Sequence, residues 1–192
     1  AYLLKSNLCT DGHVGIALID TYSKCRCLDD VELIFNRLSE RDIFTWTVLI
    51  AGYAQTVNQG EQALGFFNRM HREGVKANEF TLASCLRACA GITSLINGQQ
   101  LHSWVIKSGH FCDVYVASAL VDMYGKCGCI DDAEMIFKSI ETVDTVLWNT
   151  MICGHSRHGQ NEKALQSFRA MLNKDVQPNG VSFIGVLSAC SH

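Results

Sequence analysis

Apolar residues fall at helical spacing in short, paired runs along this chain. Between residues 114 and 144, Val116, Leu120 and Tyr124 form one run, Gly125 to Cys129 a polar break, and Ile130, Ala133 and Phe137 a second run at i, i+3, i+7. Asp131 and Asp132 open the second run, where a helix N-terminus favours negative charge. Residues 145–179 follow the same plan with Trp148, Met151 and Ile152, the break "RHGQNE", then Ala164, Leu165, Phe168 and Met171. Each block predicts an extended start and a helical hairpin of 31 to 36 residues. A hairpin this small cannot bury its own apolar face, so it must stack on its neighbours. That is the logic of an all-α solenoid.

The text of the chain is also duplicated. "ALIDTYSKCRCLDDVELIF" (17–35) and "ALVDMYGKCGCIDDAEMIF" (119–137) agree at twelve of nineteen positions, 102 residues apart. The alignment runs on in both directions and sets Trp46 over Trp148 and Gly52 over Gly154. One extra residue near Val57 to Gly60 then shortens the offset to 101, which places "EQALGFFNRMHREGVKAN" over "EKALQSFRAMLNKDVQPN". A structural part used twice explains such a pattern, and a compact catalytic core would not need it.

Composition narrows the choices. A single proline suits helices that cannot tolerate it inside, and 48% apolar with 18% charged residues excludes a disordered chain. No apolar run approaches the ~20 residues of a membrane span, so no membrane partner is expected. The net charge of −3 argues against a generic polyanion binder, so any nucleic-acid role must come from a local stripe. Both ends read as the middle of a repeat, and a longer protein is expected.

Ten cysteines and the "HxxH" of His155 and His158 raise a zinc reading. The pairs Cys25/Cys27 and Cys127/Cys129 have C-x-C spacing, which fits structural zinc poorly, and they recur one period apart, too far to share an ion. Small buried thiols at tight helix contacts are expected instead, with no metal and no cofactor. No nucleophile-base-orienter set stands out. Asp29, Asp30, Asp131 and Asp132 are accounted for by helix starts, and no catalysis is expected.

The residues resemble a known family. "TVLWNTMICGHSRHGQNEKALQSFRAMLNKDVQPN" is similar to a pentatricopeptide repeat, with its helix-opening "WNTMI", its "ALxxFxxM" and its closing "VQPN". "ALVDMYGKCGCIDDAEMIF" resembles the short repeat, and "EFTLASCLRACAGITSLINGQQLHSWVIKSGHFCD" the long repeat, of the plant PLS subclass. The resemblance covers the whole chain and implies a right-handed α-solenoid of helix-turn-helix repeats. Its implied boundaries are the end of a long repeat (1–11), a short repeat (12–42), a P-type repeat (43–78), a long repeat (79–113), a short repeat (114–144), a P-type repeat (145–179) and the start of a long repeat (180–192).

The resemblance also implies a function: single-stranded RNA binding in a chloroplast or mitochondrion, one nucleotide per repeat, chain parallel to RNA. It further implies the targeting part of a cytidine-to-uridine editing factor, since the "PCxxC" of a zinc deaminase is missing from these residues. The reducing organelle interior it implies disfavours disulfides.

Carried over position by position, Thr47 with Asn78 would read adenine, Ser118 with Asp144 guanine, and Asn149 with Asn179 a pyrimidine, cytosine preferred. Ile16 with Asp42 departs from the polar pattern, and Ala83 with Asp113 offers no side-chain hydrogen bond from the helix, so neither pair is assigned a base. His13, Phe44, Phe80, Tyr115 and Val146 would wedge between bases. Lys24, Lys126 and Arg157, which share one motif position, would contact phosphate, while Gln55 and Gly91 add no charge there.

Blander readings stand beside these. Thr47, Ser118 and Asn149 could be ordinary solvated helix residues, Phe44, Phe80 and Tyr115 packed core, and the cations simply solvated. A protein-binding scaffold that holds a peptide or an editing-complex partner in its concave groove is the alternative function, and editing-complex proteins are also expected to dock through the long repeats. Self-association through exposed repeat ends is a further expectation.

Overall fold

The structure is a computed structural model and describes residues 12–141 and 143–191, with side chains from Val14 onward. The predicted long-repeat end at 1–11 and the predicted wedge His13 therefore lie outside the described residues. Among those described there are eleven helices and no strands. They are α1 (Gly12–Lys24), α2 (Leu28–Arg37), α3 (Ile43–Ala54), α4 (Gly60–Arg72), α5 (Glu79–Gly91), α6 (Leu95–Lys107), α7 (Val114–Lys126), α8 (Ile130–Ser139), α9 (Thr145–Arg157), α10 (Asn161–Asn173) and α11 (Gly180–Cys190). No helix is long and apolar enough to cross a membrane, among the described residues.

The chain divides into two compact units, Ala1–Ile92 and Thr93–His192, at the turn between α5 and α6. In the first unit α3 packs between α1 and α5, while α2 and α4 fold back against their partners. In the second, α9 packs between α7 and α11, with α8 and α10 behind. Each unit is thus a stretch of stacked helical hairpins, the arrangement that small, one-sided hairpins require.

The stripes read from the sequence face the interior. Val116 and Leu120 are fully buried and Tyr124 nearly so, as are Trp148, Met151 and Ile152. The cores reuse one motif. Phe35 meets Trp46 edge to face at 4.6 Å, and Phe137 meets Trp148 in the same way at 4.8 Å. Close approach of the first helices needs a missing side chain: a Cβ on Gly52 would run into Ser23 on α1.

The turns within and between the hairpins use left-handed backbone. Arg26 and Gly128 hold φ 59° and 87°, Asn58 and Gly159 hold 62° and 69°, and Gly74 and Asp175 hold 79° and 57°.

Candidate nucleic-acid interface

Every first helix after α1 starts from the same device. Asp42, Asn78, Asp113, Asp144 and Asn179 stand in extended backbone just before α3, α5, α7, α9 and α11. Each side chain accepts a hydrogen bond from the helix it precedes: Thr45 N at 2.9 Å, Thr81 N at 2.9 Å, Tyr115 N at 2.9 Å, Leu147 N at 2.9 Å and Val181 N at 3.0 Å. Such N-caps satisfy backbone donors that would otherwise lack a partner. At Asp42, burial raises the carboxyl, but bonds from the Thr45 backbone and hydroxyl outweigh it and hold the group below its ordinary value. The side chains predicted to read bases at repeat ends are therefore also structural caps, a role that the Asp or Asn before each apolar run signals.

Capping fixes where these side chains point, and two of the three predicted reading pairs come together. Thr47 Oγ1 lies 3.5 Å from Asn78 Oδ1, and Asn149 Nδ2 donates to Asn179 Oδ1 at 3.0 Å. Both pairs are joined by a residue that the sequence reading passed over. Thr81 Oγ1 is 2.8 Å from Thr47 Oγ1 and donates to Asn78 Oδ1 at 2.8 Å. Ser182 Oγ donates to Asn149 Oδ1 at 2.5 Å. The signal that could have found them is a hydroxyl three residues after an Asn cap, the spacing of a capping box, which Asn179 and Ser182 complete. The third pair is different: Ser118 is half-buried on α7, Asp144 is exposed and bonded to α9, and no hydrogen bond joins the two. Ile16 is half-buried on α1, and Ala83 on α5 is buried.

The wedge candidates are on the outside. Phe44 is 64% exposed, Phe80 50%, Tyr115 63% and Val146 59%, each the second residue of its helix. Core packing, the bland alternative for the aromatics, does not describe them. Val181 holds the same place on α11 at 50% exposure, in the partial long repeat to which the sequence reading assigned no wedge.

The phosphate candidates are exposed at helix C-termini, and two are already engaged. Lys24 pairs with Asp20 at 2.6 Å and Lys126 with Asp122 at 2.7 Å, each four residues back on its own helix. Arg157 is exposed at the end of α9 and joins no carboxylate in an ion pair. The expected stripe of three cations thus carries two local counter-charges, which weakens its field.

The thiols depart from expectation. Cys85 and Cys89 are buried within α5, and burial pushes the Cys85 thiol well up. Cys25 and Cys27 are instead exposed, and Cys127 and Cys129 half-buried, because these pairs sit in the turn between helices and not on a packed stripe. The histidines serve the fold: His155 bonds Gln160 Oε1 through Nδ1 at 2.9 Å, and His158 Nε2 meets the Gly125 carbonyl at 2.6 Å. Among the described residues no group of three or more His, Cys, Asp or Glu is arranged to hold a metal ion.

Comparison with known proteins gives the following. The PPR repeat family model matches residues 41–91 and 143–192, and the PPR repeat model matches 17–43 and 115–143. An Arabidopsis thaliana pentatricopeptide repeat-containing protein is 40% identical over 192 residues, covering 100% of this chain and 26% of the relative. Another from the same plant, named as mitochondrial, is 39% identical over 191 residues, covering 100% of this chain and 30% of its own length. The chain thus spans under a third of the curated relatives it matches. Among solved structures, the pentatricopeptide repeat protein PPR10 from maize superposes with a TM-score of 0.76 at 20% identity, covering 93% of this chain and 27% of that one. The same protein in complex with an 18-nt psaJ RNA element gives 0.80 at 18% identity, covering 98% and 28%. The shared fold is an all-α helical-repeat solenoid.

Proposed function

The chain belongs to the pentatricopeptide repeat family, and from that premise we propose that it binds single-stranded RNA, one nucleotide per repeat. Its repeats are assigned as 12–42, 43–78, 79–113, 114–144 and 145–179, with parts of long repeats on either side. The observation that carries the proposal is the meeting of Thr47 with Asn78 and of Asn149 with Asn179. Short polar side chains converging where a helix begins are what recognition of an unstacked base edge needs. Exposed Phe44, Phe80, Tyr115 and Val146 supply apolar surfaces on which bases can stack. Lys24, Lys126 and Arg157 supply the phosphate contacts, and the expected electrostatic term is small.

With the chain parallel to the RNA, the preference from 5′ to 3′ is any base, adenine, any base, guanine, pyrimidine. The role is that of an address within a longer organellar factor, in chloroplast or mitochondrion, of the PLS subclass. It would direct cytidine-to-uridine editing, and no catalytic step is assigned to these residues.

Binding of short single strands carrying or lacking the adenine and the guanine, three and one nucleotides before the pyrimidine, tests this at stated salt. Equal affinity for all would remove the base assignments. Asn149→Thr is expected to move the preference toward a purine at that site alone.

A second reading, a scaffold for an editing-complex protein, is favoured at one place. Ala83 is 1% exposed and has no polar group to offer a base, which suits its repeat to a role other than base reading.

A further inference from the structure

Deepening the RNA-binding reading just given, and resting on it, we propose that Thr81 and Ser182 are positioning residues for base readout. Each belongs to the helix that follows a reading pair, so the base choice of one repeat is set in part by the next.

At Ser182 the hydrogen-bonding sense follows from donors that have no alternative. Asn179 Oδ1 receives the backbone N–H groups of Val181 at 3.0 Å and Ser182 at 3.3 Å. A backbone N–H needs an acceptor, so this amide cannot turn over. Asn149 must then direct its Nδ2 at that oxygen, at 3.0 Å, and its own Oδ1 to the other side. There the Ser182 hydroxyl donates to it, while Ser182 Oγ accepts the Asn179 N–H at 3.0 Å and closes the ring. Asn149 is 6% exposed and Ser182 fully buried, so water does not substitute for the missing partner if one is removed. What remains for a base is one Asn149 N–H, a second lone pair on its oxygen, and the Asn179 amino group.

Thr81 does the same work with a different result. Its N–H and hydroxyl both donate to Asn78 Oδ1, at 2.9 and 2.8 Å, which turns the Asn78 amino group outward as a donor. Thr47 has two acceptors in reach, the Ile43 carbonyl at 2.7 Å and Thr81 Oγ1 at 2.8 Å. Its single proton is therefore used inside the protein, and toward a base it acts as an acceptor. An acceptor beside a donor complements the amino group and ring nitrogen of adenine or cytosine. At the remaining pair the third position is Leu147, which has no hydroxyl to give, and Ser118 stays unlinked to Asp144.

The test uses the whole chain and labelled RNAs containing UAUGC, with each base substituted at the second and fifth nucleotides. Ser182→Ala is expected to reduce the pyrimidine-over-purine ratio at the fifth nucleotide by about fivefold or more, the size of one buried hydrogen bond. Discrimination at the second nucleotide should not change, and Ser182→Thr should restore the fifth. Thr81→Val, which keeps volume and loses the hydroxyl, should act only at the second nucleotide, and Thr81→Ser should restore it. Asn149→Ala separates the two levels. If it alters discrimination and Ser182→Ala and Thr81→Val do not, positioning is overturned and base reading survives. If Asn149→Ala changes nothing either, or no RNA binds, base reading is overturned and this inference with it. Unchanged urea midpoints for Ser182→Thr and Thr81→Ser complete the expected result.

Discussion

Arg26 bends the first hairpin through left-handed backbone, φ 59°, at the place Gly128 occupies 102 residues later with φ 87°. A Cβ in that region costs roughly 1–2 kcal/mol, and glycine escapes this at the expense of a more flexible unfolded chain. Arg26→Gly is therefore expected to stabilise the first unit by about 0.5–1 kcal/mol and Gly128→Arg to destabilise the second by a similar amount. Urea midpoints with unchanged slopes would register both. A loss of stability in Arg26→Gly would mean that the arginine makes contacts worth more than the strain.

A second difference between the copies is ionic. Lys163 on α10 lies 3.3 Å from Glu134 and 4.0 Å from Asp131 on α8, and holds the Glu134 carboxyl below its ordinary value against the opposing effect of burial. The first copy has Gln62 in that register. Asp29 and Glu32 there share a groove of about 420 Å3 with Tyr53 and Phe66. Burial, helped by these two carboxylates, pushes the Tyr53 phenol up to about 12. Gln62→Lys should add about 0.2–1 kcal/mol of stability at low ionic strength, fading in molar salt. A midpoint gain that persists at high salt would point to packing instead.

The helices were legible because their stripes are long and strictly spaced, as Val116, Leu120 and Tyr124 illustrate. The outward direction of Phe44 and Tyr115 was not, since helical spacing alone does not tell an apolar residue facing a ligand from one facing the core. The capping spacing of Thr81 and Ser182 is local, but their contacts to Thr47 and Asn149 span 34 and 33 residues, and that spacing says nothing of a partner so far away. The pairing of Lys24 with Asp20 could have been read from i, i+4 spacing, but the shared motif register drew attention to the cations and away from their neighbours.

Acid should weaken the second unit in a definite window. Burial lowers the His102 pKa, with Asp132 opposing, and it lowers that of His155 against the Gln160 hydrogen bond and Glu134. Both folded pKa values lie below the unfolded value of about 6.5, so below that pH the unfolded chain binds more protons. Stability is then lost as pH falls from about 6.5 and levels off once the folded-state pKa values are passed. His102→Asn with His155→Asn keeps a polar partner for Tyr124 and Gln160 and should flatten the profile between pH 7 and 5. A double variant as acid-sensitive as the parent would assign the effect to other groups.

The exposed aromatics separate stacking from packing. Truncating a buried aromatic costs about 3–5 kcal/mol of stability, whereas surface changes stay within about 0.5. Phe44→Ala and Tyr115→Ala should leave the urea midpoint nearly unchanged and weaken RNA binding by about 1–3 kcal/mol each. The reverse pattern, folding damaged and RNA affinity intact, would return both residues to a structural role.

The counter-charges beside the lysines make the last prediction. An exposed i, i+4 ion pair contributes only about 0.3–0.5 kcal/mol, so its loss barely affects folding. RNA is a stronger competitor for the same ammonium, but it must displace the carboxylate and then tolerate it nearby. Asp122→Asn leaves Lys126 with a full positive charge facing the strand and removes one repelling negative charge. Affinity should rise, and the slope of log K against log salt should steepen by up to about 0.7, one phosphate neutralised on a single strand. Lys126→Ala in the same background should cancel the gain, since Asp122 acts on the RNA mainly through this partner. An affinity gain that survives Lys126→Ala would locate the repulsion between Asp122 and the strand itself, and an unchanged slope would place Lys126 away from the phosphates altogether.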